Sequence, residues 1–225
     1  MFLPENINLQ QSKEYILSIR LIPSGFYFSI HHCEKRRFYQ HNIQFEEEDY
    51  LKSLQKVFFD TDLFSNNFKA INVVCVNEKA IIVPNSLYER KYEEKLMDFN
   101  FINPGSYTTN SELSYLDSKI VWSMNKEVFQ FLSRSLLNPN FKNHLSLLIP
   151  YLYNNYHNKH SSSLFINFND DNMMDCVAFR KKGLLLAKTF IIENPLEGYY
   201  FIQKVWNELR MNTANDSLFF SDRTT

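Results

Sequence analysis

The chain has 225 residues, which is long enough for one large domain or two small ones. Hydrophobic residues make up 44% and charged residues 22% of it, so the composition is that of a globular protein and excludes an intrinsically disordered chain. The formal net charge is −1, which excludes a strong overall attraction to nucleic acid or to an anionic membrane surface.

The first elements of the chain are predicted strands that lead into a helix. Apolar residues alternate over Tyr15–Leu21, and Pro23-Ser24-Gly25 is typical of a tight turn. Alternation from Phe26 to Ile30 predicts the return strand, and a third strand is predicted between Arg37 and Phe45. Apolar residues at helical spacing from Leu51 to Phe58, after an acidic first turn, predict the helix that follows.

The middle of the chain alternates between predicted strands and predicted helices. The predicted strands cover Ala70–Asn77, Lys79–Val83 and Lys119–Met124. Helical spacing of apolar residues predicts helices over Ser86–Phe99, Lys126–Leu137 and His144–Asn158. Pro150 lies inside the last of these helices, and the N–H that proline lacks predicts a kink or a division there.

From residue 163 the opening pattern returns. The predicted strands cover Ser163–Phe168, Met174–Phe179, Leu184–Ile192 and Leu218–Phe220. Asn169-Asp170-Asp171-Asn172 predicts the hairpin turn between the first two, and Asn194 with Pro195 predicts the start of a helix. On this helix Tyr199, Tyr200 and Trp206 are expected to pack under the second sheet, and any part left exposed would mark a partner surface.

Both halves of the chain therefore share one order of elements: strand, hairpin, strand, strand, helix, strand. This order is that of an RNase H-like unit, and two such units in tandem are the layout of the actin, Hsp70 and sugar-kinase superfamily. The predicted fold is mixed α/β, with a first lobe over residues 1–140 and a second over residues 141–225. The second copy ends soon after Phe220, which predicts that this lobe is truncated at its C-terminus.

Three segments of the sequence resemble a known family. They are LSIRLIPSGFYFSI (Leu17–Ile30), KAIIVPNSLY (Lys79–Tyr88) and LLLAKTFIIENPLEGYYFIQKVWNEL (Leu184–Leu209). In this order and spacing they resemble the DUF3822 family of Bacteroidota, whose fold is described as actin-like. The resemblance implies the two-lobed fold, and it implies no activity, cofactor or site residue.

The two predicted hairpins are the places where an actin-like fold would bind nucleotide. An ATPase of this fold places an Asp and a Gly-rich turn there, to organise magnesium and to approach phosphates. The first hairpin offers Ser24 and Gly25 without an acidic residue, and the second offers Asp170 and Asp171 without a glycine. No GxGxxG or GxxxxGK[ST] motif occurs, so these four residues are weak candidates for ATP with magnesium, and no cofactor is predicted.

Other clusters of reactive residue types are better explained by structure than by chemistry. Asp175 could join Asp170 and Asp171 in binding a metal, but Asn and Asp are also ordinary turn residues, and the turn interpretation is favoured. His31, His32 and Cys33 are strand neighbours that face opposite sides, so they cannot all reach one ion. His157 and His160 have an i, i+3 spacing that could chelate a metal on a helix, but a solvated helix end is favoured. The basic runs Lys35-Arg36-Arg37 and Lys181-Lys182 are typical of solvated hairpin loops rather than of a nucleic-acid surface. No catalytic or metal-binding residue is therefore predicted.

Cysteine usage and the N-terminus bear on the compartment. Cys33, Cys75 and Cys176 form no CxxC pair, which favours isolated buried thiols in a reducing compartment over a disulfide or zinc framework. The N-terminus has neither the basic nor the apolar region of a signal peptide, and no apolar run is long enough to span a bilayer. The sequence therefore predicts a cytoplasmic protein without a transmembrane segment.

Three hypotheses for function remain. The leading one is a non-catalytic protein with an actin-like fold that binds a protein partner, because the two-lobe pattern is retained while the phosphate loops are missing. The second is a divergent ATPase or phosphotransferase that uses Asp170 or Asp171. The third, by analogy of fold alone, is a cytoplasmic adaptor of a membrane assembly.

Overall fold

A computed structural model of the chain describes residues 7–34, 38–46, 49–156, 161–169, 172–181 and 183–221. These residues form twelve β-strands and five α-helices. The chain separates into two compact units. The first comprises Met1–Val76, Gly105–Tyr107 and Met124–Lys142, and the second comprises Asn77–Pro104, Thr108–Ser123 and Asn143–Thr225. The predicted lobe boundary between residues 140 and 141 remains a prediction.

The first sheet has five strands in the order β3-β2-β1-β4-β8. Its members are β1 (Tyr15–Ile22), β2 (Gly25–His32), β3 (Phe38–Gln44), β4 (Ala70–Cys75) and β8 (Asn140–Asn143). Strands β1, β2 and β3 pair antiparallel, and β4 joins β1 in parallel. That parallel pairing needs a crossover, which the helix α1 (Tyr50–Phe59) supplies.

Aromatic and branched residues fill the core of the first unit. Alternate residues of β1 are buried because its hydrophobic period is two, so that Leu17 and Ile19 have no exposed surface. From α1, Phe58 stacks on Phe64 with ring centroids 4.2 Å apart. Asp49 caps this helix by accepting a hydrogen bond from the Lys52 N–H, as an acidic residue at this position should. The unit also contains helix α3 (Lys126–Ser135), which Asn125 caps.

The second unit contains two smaller sheets. One has the order β5-β7-β6, with β5 (Ala80–Pro84), β6 (Tyr107–Leu113) and β7 (Ser118–Met124). The other has the order β11-β10-β9-β12, with β9 (Ser162–Phe168), β10 (Met173–Arg180), β11 (Gly183–Ile191) and β12 (Ser217–Ser221). Its helices are α2 (Glu93–Asn100), α4 (Leu145–Tyr156) and α5 (Pro195–Glu208).

The repeat predicted from the sequence is present in the pairing of the strands. Strands β9, β10 and β11 pair antiparallel, and β12 joins β9 in parallel after α5. This is the arrangement that β1, β2, β3 and β4 have around α1. The two sheets therefore share one topology although their sequences do not resemble each other.

Two predicted helices differ from the structure in part. The predicted helix over Ser86–Phe99 is short, because the backbone is extended at Tyr88 and Glu89 and only α2 is α-helical. The helix predicted over His144–Asn158 is present as α4, and of the kink or division predicted at Pro150 the division does not occur. The strands β6 and β8 were not predicted, because their sequences, YTTNSEL and NFKN, show no apolar alternation.

No α-helix within the described ranges is long and apolar enough to cross a bilayer.

Candidate functional site

The first hairpin turn, between β1 and β2, is closed by its own chain. The carbonyl oxygen of Ser24 accepts a hydrogen bond from the Phe45 N–H at 2.8 Å, and that of Gly25 accepts one from the Tyr50 hydroxyl at 3.0 Å. Ser24 and Gly25, the candidates for phosphate binding in the first hairpin, are therefore held against β3 and α1.

Glycine is required at position 25 by a close approach of two backbone segments. Its φ is +153°, and a Cβ built on it would lie 2.1 Å from the carbonyl oxygen of Ile43 on β3. The side of Gly25 on which a Cβ would stand is filled by a neighbouring strand, so only glycine fits there. The glycine thus serves the β2–β3 pairing.

In the second hairpin the two candidates Asp170 and Asp171 lie outside the described residues. Asp175, the third member of the possible carboxylate cluster, lies within the predicted strand Met174–Phe179 and not in the turn. It lies on β10 with no exposed surface, and its backbone pairs with Asn167 of β9 and Thr189 of β11. A carboxylate in the middle of a sheet must be satisfied by hydrogen bonds, because burying it unpaired costs several kcal/mol.

Four side chains supply those hydrogen bonds, and we call the group the Asp175 network: Asp175, His144, Thr189, Asn167 and Asn169. On one carboxylate oxygen, Oδ1, His144 Nε2 lies at 2.9 Å and the Thr189 hydroxyl donates at 2.7 Å. On the other oxygen, Oδ2, the amide nitrogens of Asn167 and Asn169 donate at 3.0 and 2.5 Å. A carboxylate has about four acceptor sites, so the network uses all of them.

The hydrogen-bond pattern fixes one proton of His144. Its Nε2 lies 3.2 Å from the Thr189 hydroxyl oxygen, and that hydroxyl already donates its hydrogen to Asp175. Nε2 must therefore carry a proton, which it shares between Asp175 and Thr189. Burial by itself raises the pKa of Asp175, but the hydrogen bond and charge of His144, with the bonds from Thr189 and Asn167, hold that pKa below its usual value.

The remaining histidines and cysteines do not assemble a reactive site in the described residues. His32 bonds Glu14 through Nε2 at 3.0 Å and accepts the Glu34 N–H at Nδ1, while His31 points to the other side of β2. Burial raises the pKa of the Cys75 and Cys176 thiols to about 12, so both are poor nucleophiles. Within the described ranges, no three histidine, cysteine, aspartate or glutamate side chains are placed to hold a metal ion. His157 and His160 lie outside these ranges.

The aromatic stripe on α5 is only partly buried, which corrects the sequence prediction. Ile202 and Val205 join the hydrophobic core beneath the sheet of β9 to β12, and Trp206 packs against that core. Tyr199 and Tyr200 are more than half exposed, at 59% and 57%. They lie on the outer side of the helix, because a helix packed on one sheet buries a single face.

A groove in the second unit lies between two sheet edges. It has a volume of about 920 Å³ and is lined by β5, by residues 114–118 and by Gly183–Lys188 of β11. Strands β5 and β11 are edge strands of different sheets, so both direct unpaired backbone groups outward. In β11 the pairing with β10 skips Leu185, which is an extra, bulged residue that lines the groove and is 37% exposed.

Comparison with known proteins decides the family. A family profile described as "Protein of unknown function (DUF3822)" matches residues 4–225. The chain belongs to the DUF3822 family. The resemblance inferred from the three sequence segments is thereby confirmed. No curated protein matches the chain.

Solved structures show the fold of this DUF3822 chain. It is similar to a Bacteroides thetaiotaomicron protein with an actin-like ATPase fold and unknown function, with a TM-score of 0.87, 23% identity, and coverage of 97% of this chain and 86% of that one. The predicted fold class, mixed α/β with an actin-like fold, is confirmed.

Two further structures are more distant. The cytoplasmic domain of EpsL, an inner-membrane component of the Vibrio cholerae type II secretion system, has a TM-score of 0.48, 9% identity, and coverage of 92% and 82%. The Aquifex aeolicus Ppx/GppA phosphatase has a TM-score of 0.43, 9% identity, and coverage of 93% and 68%.

Sequence reasoning did not identify the residues that matter most in this DUF3822 chain. His144 lies just before α4, 31 residues from Asp175 in the sequence, and Thr189 lies on β11, 14 residues from it. Neither was singled out, because no sequence spacing links them to Asp175. A signal was present in the sequence, since Asp175 stands in an otherwise apolar strand, MMDCVAF. A charge at such a position predicts a buried partner.

Proposed function

We propose that this chain is a non-catalytic protein with an actin-like fold that binds an extended segment of a partner polypeptide along the free edge of β11. The observation that carries the proposal is the bulged edge of β11 beside a groove of about 920 Å³. An edge strand offers backbone N–H and C=O groups that only another extended backbone can satisfy in series.

The side chains of the groove suit such a segment. The bulge turns Leu185 toward the groove, and Leu184 and Leu186 beside it are only half-buried. In strand addition the backbone supplies affinity while alternate side chains enter apolar pockets, so the leucines would select apolar residues at every second position.

The hairpins support the non-catalytic part of the proposal. The first turn uses Gly25 for sheet packing, and the buried carboxylate beside the second turn, Asp175, has four donors on its four acceptor sites. Neither group offers the open position that magnesium-bound ATP needs. The groove beside β11 is thus the better-equipped binding site.

A peptide-selection experiment tests the binding. A phage-displayed library of random linear peptides is selected on the immobilised full chain, and enriched peptides are measured by calorimetry. We expect the selected peptides to have alternating apolar residues. The Leu185→Asp variant should bind them at least about tenfold more weakly than the wild type does. The matched control is Leu196→Asp, which places the same charge on an 80% exposed leucine of α5 and should leave affinity unchanged. Equal affinities for wild type and Leu185→Asp would exclude the β11 edge.

An ATP measurement tests the non-catalytic part separately. Millimolar ATP with magnesium should neither raise the melting temperature nor be hydrolysed above the buffer rate. The control is the Asp170→Asn/Asp171→Asn double variant, which removes the carboxylates on which a divergent ATPase would depend. ATP hydrolysis by the purified wild-type chain that is lost in the double variant would support the enzyme hypothesis instead.

A further inference from the structure

A basic depression lies in the second unit, at the end of the sheet opposite to the β9–β10 hairpin turn. It forms where β9 begins, where β10 ends and where α5 leads into β12, and its volume is about 320 Å³. Its charged lining consists of three cationic side chains and one carboxylate: Arg180, Lys181, Arg210 and Asp216. Serine and asparagine side chains complete it.

Arg180 is held rigidly in this depression. Its Nε donates to the Ser162 hydroxyl at 2.9 Å, and its Nη2 donates to the Leu209 carbonyl oxygen at 2.7 Å. A guanidinium has five N–H donors, so a fixed Arg180 still presents donors toward the depression. Fixing the group in advance reduces the entropy lost when an anion binds.

Asp216 does not cancel the positive charge of the depression. Its carboxylate accepts the backbone N–H of Ser162 at 2.7 Å and that of Asn212 at 2.8 Å, so it ties the start of β9 to the loop before β12. Three cationic groups against this one carboxylate leave an excess of two positive charges. Anions are therefore favoured in this place although the chain as a whole is nearly neutral.

The two remaining cationic residues, Lys181 and Arg210, have backbone conformations that are unfavourable for their residue types. Lys181 has a φ of 55° and Arg210 a φ of 51°, which is the left-handed region where glycine and asparagine are the unstrained residues. Neither side chain has an ion pair or hydrogen bond with another described residue. Long cationic side chains at two strained positions around one depression indicate a use for their charge.

A hydroxyl completes the donor set. The Oγ of Ser161, which also lines the depression, is buried and has no hydrogen-bond partner among the described residues. A buried hydroxyl without an acceptor is unfavourable, and rotation of this side chain toward the depression would let it donate to an anionic oxygen there.

We propose that this depression is a binding site for a phosphate dianion, either free or as a monoester, held by Arg180, Lys181 and Arg210. Two net positive charges match a dianion, and guanidinium groups bind phosphate oxygens through paired N–H donors. The site is independent of the peptide groove at β11, because none of its lining residues is shared with that groove.

The test is a titration of the ¹⁵N-labelled full chain with inorganic phosphate, followed by NMR at constant ionic strength. Amide and arginine Nε signals around Arg180 should shift and saturate in the millimolar range, and equal additions of chloride should not shift them. A parallel titration with glycerol 3-phosphate distinguishes the free anion from the monoester. The ligand with the lower dissociation constant is the form that the site prefers.

The decisive variant is Lys181→Asn/Arg210→Asn. Asparagine tolerates the left-handed conformation, so this double variant should keep or raise the melting temperature while it weakens phosphate binding at least about tenfold. The control is Lys95→Gln/Lys204→Gln, which removes two charges from exposed helix positions of the same unit and should leave binding unchanged. Unchanged binding in the Asn variant, or shifts that chloride reproduces, would overturn the proposal.

Discussion

Asp175 determines the stability of the second sheet because its charge is buried and fully hydrogen-bonded. In an Asp175→Asn variant the new amide N–H₂ must face donors, either His144 and Thr189 on one side or the two asparagine amides on the other. We expect a loss of roughly 3 kcal/mol in the free energy of unfolding, as when one partner of a buried pair is removed. Urea denaturation followed by circular dichroism measures it, and a loss under about 1 kcal/mol would contradict the network.

The same carboxylate makes stability depend on pH in the acid range. The pKa of Asp175 is lowered in the folded chain, so its contribution is complete above the unfolded value, near 3.9, and is lost as the pH falls below it toward the folded pKa. We expect the free energy of unfolding to fall as the pH drops below about 4, and to fall less steeply in Asp175→Asn. Parallel slopes in the two proteins would show that other carboxylates carry the dependence.

The half-buried Tyr88 and the buried Glu93 form a second hydrogen-bonded polar group, at the start of α2. Burial, with the hydrogen bond that Tyr88 donates to Glu93, raises the pKa of Tyr88 to about 12, and Asn110 donates to the same Glu93 oxygen at 2.7 Å. Tyr88→Phe leaves the buried Glu93 one donor short and should cost about 1 kcal/mol of stability. Tyr92→Phe, at a 41% exposed neighbour, is the control and should cost nothing measurable in the same denaturation assay.

At this scale the sequence indicates which residues are buried but not which of them meet. The alternation in β1 correctly predicts that Leu17 and Ile19 face the core, because that depends only on the period of a strand. The partners of Asp175 come from three strands or loops and from the start of α4, and nothing in their spacing links them. Such contacts follow from the pairing of strands, which a single sequence does not specify.

Among the elements, the β1–β2 turn is the most sensitive to one methyl group. Gly25→Ala would place a Cβ 2.1 Å from the Ile43 carbonyl oxygen at a φ of +153°, so β2 and β3 must separate. We expect a loss of at least about 2 kcal/mol in the free energy of unfolding. Gly183→Ala is the matched control, because its nearest contact is the Arg180 oxygen at 3.7 Å, and equal losses in both variants would contradict the packing role of Gly25.

The elements found from the sequence are those with strong apolar periodicity. The strands of both hairpins and the helices α1, α3 and α5 were predicted within a few residues, since each buries one clear face. The strand β6 was missed because its sequence is polar and its residues are mostly half-buried. The first part of the predicted helix over Ser86–Phe99 failed because helical spacing of apolar residues does not require burial, and Leu87 is exposed.

For the whole molecule, the sequence predicts a repeated topology but not how segments are distributed between compact units. Residues 124–142 pack with the first unit, while residues 108–123, directly before them, pack with the second. The hydrophobic pattern of β7 predicts that its apolar residues are buried. It does not predict which other elements those residues pack against. That assignment depends on long-range contacts, which cost loop entropy and leave no local signal.

The repeated topology leads to a prediction for hydrogen exchange across the chain. Strands β1 and β9 each have a neighbour on both sides, whereas β3 and β11 are edges, where half of the N–H groups face away from the sheet. Amides of 15–22 and 162–168 should therefore exchange at least about a hundredfold more slowly than those of 38–44 and 183–188. Mass spectrometry of peptic fragments measures this in both units at once. Equal protection of edge and central strands in either unit would contradict its strand order, and added protection of 183–188 by a selected peptide would place that peptide on β11.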